Sequence, residues 1–243
     1  VVLTYMPDFT QLGQDIFGEA AYDESGSSLS ISSDGNTVAI GAYGNQANGT
    51  ETGHVRVYEN IGGFWSQIGE DIDGEAAYDE SGMSVSISGD GNTVAIGAIF
   101  NNNDNGAYAG HVRIYENIGG SWSQIGADID GEAANDRSGS SVSISADGNT
   151  VAIGAYDNDG NGSSSGHVRI YENIGGSWSQ IGADIDGEAA NDLSGYSVSL
   201  CADGNSVAIG ARANDGNGSN SGSGHVRVYE NIGGFWSQIG QDI

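Results

Sequence analysis

The 243-residue chain has one cysteine, one proline and no lysine. A lone thiol excludes an internal disulfide framework. Cys201 also stands where three related segments carry Ser32, Ser88 and Ser145, so it reads as a substituted serine. Cysteine poverty fits a secreted bacterial-type protein. The 6 basic residues are all arginines, and against 33 acidic residues they leave a formal net charge of −27. Such a surface repels the phosphates of nucleic acid and of anionic lipid, so neither is expected as a partner, and it attracts calcium. No run of about 18 apolar residues is present to insert into a membrane, and no signal peptide is apparent. The chain does not begin with Met, as a processed or excised chain would not. Helix is nearly excluded, because no stretch sustains a 3.6-residue apolar period.

What the chain has is repetition. Residues 138–172, SGSSVSISADGNTVAIGAYDNDGNGSSSGHVRIYE, occur in four versions, the others beginning at Ser25, Ser81 and Ser194. A second constant segment, NIGGSWSQIGADIDGEAAND in its third occurrence, runs between copies. Cutting before each recurring glutamine gives units 11–66, 67–123, 124–179 and 180–237, of 56, 57, 56 and 58 residues. A half-unit, 1–10, precedes them, and 238–243 begins another. The opening VVLTYMPDFTQLGQDI is a worn copy of residues 226–243, which suggests a piece of a longer array or a ring whose seam falls inside a unit. Glycine is abundant at 42 residues, yet apolar residues alternate with small polar ones, so the chain is expected to pack as one repeat domain over 1–243.

In the third copy, Ser141–Ser145 alternates serines with Val142 and Ile144, the period of a half-buried strand. Asp147-Gly148-Asn149 is a hairpin turn, because glycine tolerates positive φ. Thr150–Ala155 makes a second strand, His167–Glu172 a third after a long loop, and Ser177–Gly182 a fourth. One face of the first two strands is bulky (Val142, Ile144, Val151, Ile153) and the other flat (Ser141, Ser143, Ala152, Gly154). Each unit's bulky face can therefore pack on its neighbour's flat one, closing a ring or running on as an open β-solenoid. Four short antiparallel strands per unit of about 56 residues make a blade, so an all-β propeller is expected.

The string SGSSVSIS-turn-TVAIGA-loop-SGHVRIYE resembles FG-GAP repeats, the blades of integrin-α-like β-propellers, over nearly the whole chain. The resemblance implies an extracellular adhesion or ligand-binding propeller that often carries calcium. Two departures matter. Serine (Ser25, Ser81, Ser138, Ser194) replaces the Phe of the family's FG. The hairpin that holds calcium in integrin-type blades is here only the tight Asp-Gly-Asn turn, so that site does not carry over.

Two other places could hold calcium. Asp157, Asp159 and Asn161 space oxygen ligands around Gly160 as in the first half of an EF-hand loop, but Val168 stands where the closing glutamate would be. Alternatively, Asn/Asp/Gly/Ser runs simply make surface loops. The better-kept cluster lies in the connections: Asp71, Asp73, Glu75 and Asp79; Asp128, Asp130, Glu132 and Asp136; Asp184, Asp186, Glu188 and Asp192. The first copy keeps Asp15, Glu19 and Asp23. These carboxylates bind calcium, cap turns by accepting from backbone amides, or form a bare acidic rim.

His54, His111, His167 and His225 open the third strands, each with an Arg and a Tyr further along the same face. Repeated four times, they read as structural, each Arg answering carboxylates between blades. Trp65, Trp122, Trp178 and Trp236 read as packing anchors, with sugar stacking as the functional alternative. Arg137, Arg212 and Asp104 are the odd charges. Nucleophile elbows, phosphate loops and paired zinc ligands are absent from the sequence beyond repeat background, so no enzymatic activity is expected. The reading is a non-enzymatic extracellular or cell-surface binding module for a protein or glycan ligand. The alternatives are a self-assembling structural subunit of a fibre or surface layer, and a glycan-binding module.

Overall fold

A computed structural model describes residues 10–216 and 221–243. The half-unit at 1–10 thus lies outside the described residues except for Thr10. Among the described residues every regular element is a β-strand, β1 to β19, and no helix is long and apolar enough to cross a membrane.

The strands form four antiparallel sheets in chain order. The first contains β1 (Ser28–Ile31), β2 (Thr37–Ala42), β3 (His54–Ile61) and β4 (Phe64–Gln67), with the two-residue β5 (Ile72–Asp73) pairing beside β4 on β3. The second repeats this with β6 (Ser84–Ile87), β7 (Thr93–Ala98), β8 (His111–Ile118), β9 (Ser121–Gln124) and β10 (Ile129–Asp130). The third has β11 (Ser141–Ile144), β12 (Thr150–Ala155), β13 (His167–Ile174), β14 (Ser177–Gln180) and β15 (Ile185–Asp186). The fourth has β16 (Ser194–Leu200), β17 (Ser206–Ala211), β18 (His225–Ile232) and β19 (Phe235–Gln238). These are the expected blades of a β-propeller. The short fifth strands, two residues in an acidic connection, were not foreseen.

Local chemistry fixes each hairpin. Gly148 sits at φ +73°, the left-handed region that glycine enters without a steric penalty. Asp147 accepts hydrogen bonds from the Asn149 amide and the Ser145 hydroxyl. In the fourth blade Cys201 occupies the serine's place. Its thiol donates to Asp203 at 2.7 Å and its sulfur accepts from the Ser206 amide at 3.0 Å.

Between blades, bulky packs on flat as the alternation implies. Val85, Ile87, Val94 and Ile96 of the second sheet form one buried cluster with Ala39, Val55 and Val57 of the first. Ile144, Val151 and Ile153 likewise meet Ala95, Val112 and Ile114. Leu200, Val207 and Ile209 meet Ala152, Val168 and Ile170. Hydrogen bonds stitch the same interfaces: the hydroxyls of Ser28, Ser84 and Ser141 donate to the carbonyls of Gly82, Gly139 and Gly195. Among the described residues nothing covers the first sheet's bulky face in this way, and Leu29 and Ile31 are 66% and 55% exposed. The described blades therefore stack in a row without covering that face, where a closed ring would bury it.

Candidate metal centres and binding grooves

The third strands of the sheets begin with buried histidines, and the acidic connections are pulled against them. Pairing of β10 with β8 sets Asp130 opposite His111 and Ile129 opposite Val112. That places the preceding Asp128 beside the His111 ring. Glu75 arrives from the previous connection, which is held on the second blade by Arg113. Arg113 donates from Nη2 to the Asp73 carbonyl at 2.7 Å, and its Nη1 lies 3.6 Å from Glu75 Oε1.

The outcome is a triplet from two connections and one strand. His111 Nδ1 lies 3.6 Å from Asp128 Oδ2 and 4.0 Å from Glu75 Oε2. The same arrangement recurs as Glu132, His167 and Asp184, with 3.8 and 3.9 Å from the ring nitrogen. It recurs again as Glu188, His225 and Asp242, with 3.6 and 3.8 Å. In the first blade His54 Nδ1 lies 3.5 Å from Asp71 Oδ2, with Glu19 completing the group. Within each triplet the candidate ligand atoms lie within 4.8 Å of one another.

Burial dominates the electrostatics. It pulls His111 and His167 down to about 4, assisted by Arg113 and Arg169 and opposed by Asp128 and Asp184. The imidazoles are therefore neutral at pH 7. Burial also raises Glu75 and Glu132 above the usual carboxylate range, against the pull of their arginines. His54 is fully buried, and neither of its ring nitrogens has a hydrogen-bond partner; the Nε2 atoms of His167 and His225 also lack one.

The residues singled out from sequence divide into four groups. Asp71, Glu75, Asp128, Glu132, Asp184 and Glu188 reach the triplets, but Glu75 does not join Asp71, because consecutive acidic residues of one connection serve different blades. Asp73, Asp130 and Asp186 lie one step along, in or beside the short strands. Asp130 accepts from Asn103, and burial followed by the neighbouring Asp128 raises it. The last acidic residue of each connection is a turn cap: buried Asp136 accepts from the Ala133 amide and from Asn158. In the Asp157–Gly162 loop, protein partners occupy the candidate ligands. Asp157 pairs with Arg137 at 3.2 Å, Asp159 accepts from the Ser164 amide, and Asn161 donates to the Gly187 and Glu188 carbonyls. The histidines, read from sequence as structural, are the third member of each cluster, and their recurrence at the same place in all four blades, at the start of the third strand, was the available signal.

A second recurrent feature adjoins the triplets. Each half-buried tryptophan donates from Nε1 to a carbonyl of the preceding connection, Trp122 to Ile68 and Trp236 to Ile181, both at 2.9 Å. Between indole and connection lies a groove of about 240 Å³, lined in one blade by Tyr115, Trp122, Asp71 and Asp73. An equivalent groove of about 240 Å³ is lined by Tyr229, Trp236, Asp184 and Asp186.

Comparison with known structures places the fold. A candidate 6-phosphogluconolactonase from Bacteroides uniformis superposes with a TM-score of 0.58 at 14% identity, covering 89% of this chain and 54% of that one. The periplasmic gluconolactonase of Pseudomonas aeruginosa gives 0.55 at 17% identity, covering 89% and 56%. Hydrazine synthase from Kuenenia stuttgartiensis gives 0.55 at 12% identity, covering 94% and 51%. The chain thus spans about half the length of these structures, and at such identities the likeness is one of fold. Among curated proteins no sequence match was found. The FG-GAP repeat profile matches residues 72–115, 127–171 and 183–227, more than half of the chain. Each match begins at the acidic connection and ends at the third strand, so it takes in the carboxylate–histidine segment together with the two core strands. The chain belongs to the FG-GAP repeat family.

Proposed function

We propose that this chain is a non-enzymatic binding or adhesion module working outside the cell or at its surface. The observation that carries the reading is recurrence. The carboxylate–histidine cluster is built again in each of the four blades, and the tryptophan–tyrosine–aspartate groove in the second and the fourth, from the same residue types. Repeated equivalent sites suit multivalent attachment, in which several weak contacts sum to a strong one. Catalysis instead asks for one unlike constellation of acid, base and nucleophile. The two odd arginines do not supply it: Arg137 is engaged with Tyr156 and Asp157, and Arg212 lies 4.0 Å over the Tyr196 ring.

Within that reading the groove lining favours a glycan. An indole and a phenol offer apolar faces to the C–H side of a sugar ring, and paired aspartates accept from its hydroxyls. A groove of about 240 Å³ suits one such ring at a time. Calcium enters the same proposal as a stabilising ion for the carboxylates of the short strands, Asp73, Asp130 and Asp186, which stand outside the histidine clusters. Retention of the purified chain on a glycan array, abolished when Trp122, Trp178 and Trp236 are replaced by Ala in a variant that still melts cooperatively, tests it. Undiminished retention by that variant would refute the grooves as binding sites.

A further inference from the structure

The imidazole in each triplet sets the identity of the ion such a site would take. We propose that the Glu75–His111–Asp128 cluster and its three equivalents bind a nitrogen-preferring divalent transition ion of the zinc class, through His Nδ1 and one oxygen of each carboxylate. This goes beyond the binding reading above and stands without it.

Geometry is the first ground. Separations of 3.5 to 4.0 Å between His Nδ1 and the carboxylate oxygens exceed hydrogen-bond length. Ligands at about 2.0–2.2 Å from a tetrahedral zinc ion stand about 3.4 Å apart, close to the observed spacing. Three protein ligands would leave the fourth position open to solvent, where the carboxylates are already partly exposed.

The second ground is that in the second blade each carboxylate is held by the oxygen that does not face the ring. Gln124 donates to Asp128 Oδ1 at 2.7 Å, leaving Oδ2 toward His111. Arg113 pairs with Glu75 Oε1, leaving Oε2 toward the same nitrogen. The Gln–Asp contact recurs as Gln67 with Asp71, Gln180 with Asp184 and Gln238 with Asp242. Outer partners of this kind orient ligands before the ion arrives.

The third ground is the state of the histidine itself. His54 is wholly buried, its Nδ1 has no hydrogen-bond partner, and that atom is aimed at Asp71. A buried unsatisfied nitrogen is costly, and coordination would satisfy it. Calcium prefers six or more oxygen ligands and gains little from an imidazole, whereas zinc favours it.

The test uses the full chain stripped with chelator, then titrated by calorimetry with zinc and separately with calcium, with cobalt(II) absorption reporting coordination geometry. A Glu75→Gln/Asp128→Asn variant keeps side-chain size at the second blade, and a cooperative thermal melt verifies its fold. Zinc uptake by the wild type, an intense tetrahedral cobalt band, and one bound equivalent fewer in the variant are expected. Absent uptake, uptake unchanged in the variant, or calcium binding as tightly as zinc would overturn the assignment.

Discussion

Gly97 of β7 lies against Gly139 of the next blade so closely that a Cβ on Gly97 would stand 2.1 Å from the Gly139 carbonyl oxygen. Gly41 with Gly82 and Gly154 with Gly195 repeat the contact at the same distance. This approach lets Ser84 reach the Gly139 carbonyl at 2.7 Å and seats the bulky face of one sheet on the next. Gly97→Ala is therefore expected to lower stability by about 1–3 kcal/mol or more, since backbone must shift to admit the methyl. Gly119→Ala meets nothing within 4 Å and should cost only about 1 kcal/mol, from its φ of +63°. Denaturant melts of the two variants compare them directly, and equal losses would remove close approach as the reason for glycine here.

Ile153 is 1% exposed within the cluster between the second and third blades, whereas Ile174 at the tip of β13 is 62% exposed. Ile153→Ala should destabilise by about 2–5 kcal/mol through lost burial and a cavity. Ile174→Ala should change stability by less than about 0.5 kcal/mol. Equilibrium unfolding in urea measures both.

Arg113 joins two blades through the Asp73 carbonyl and Glu75, and its guanidinium lies 5.6 Å from the Tyr115 ring centre. Lysine has a single charged nitrogen on a flexible stem and cannot serve a carbonyl, a carboxylate and an aromatic face together. Arg113→Lys is expected to cost about 1.5–3 kcal/mol, the worth of a hydrogen bond from a charged group. The lost stability should be nearly independent of salt, because the carbonyl contact, rather than the partly exposed ion pair, carries it.

The hairpin aspartates set an acid limit. Hydrogen bonds from Ser32 and then Asn36 hold Asp34 down at about 2, and Asp147 is lowered by Ser145 and Asp203 by Cys201 in the same way. A folded value below the unfolded one, about 3.9, means stability that is present above that pH. It is lost as pH falls from about 4 toward the folded value. Melting temperature measured from pH 5 to pH 2 should fall more steeply for wild type than for an Asp34→Asn/Asp147→Asn variant. Parallel curves would contradict this linkage.

The blades were legible in the sequence because SVSI and TVAIGA alternate strictly, and Asp-Gly-Asn between them leaves the hairpin little choice. The bulky-on-flat packing followed from Val142 and Ile144 facing opposite to Ser141 and Ser143. The clusters were only half legible. Acidic residues stood out, but Glu75 and Asp71 are near in sequence and belong to different clusters, since each connection crosses from one blade to the next. A histidine 36 residues after Glu75 and 17 before Asp128 meets both only once β10 has paired with β8. Spacing along the chain does not reveal that pairing, because β10 is two residues long and has no pattern of its own.

The most direct measurement is an equilibrium titration of the chain with the best-retained oligosaccharide of a glycan array, counting bound equivalents. Recurrent grooves require more than one equivalent per chain, with one lost when Trp122 alone becomes Ala and another when Trp236 does. A single equivalent indifferent to both tryptophans, or no retained glycan at all, would contradict binding through repeated grooves.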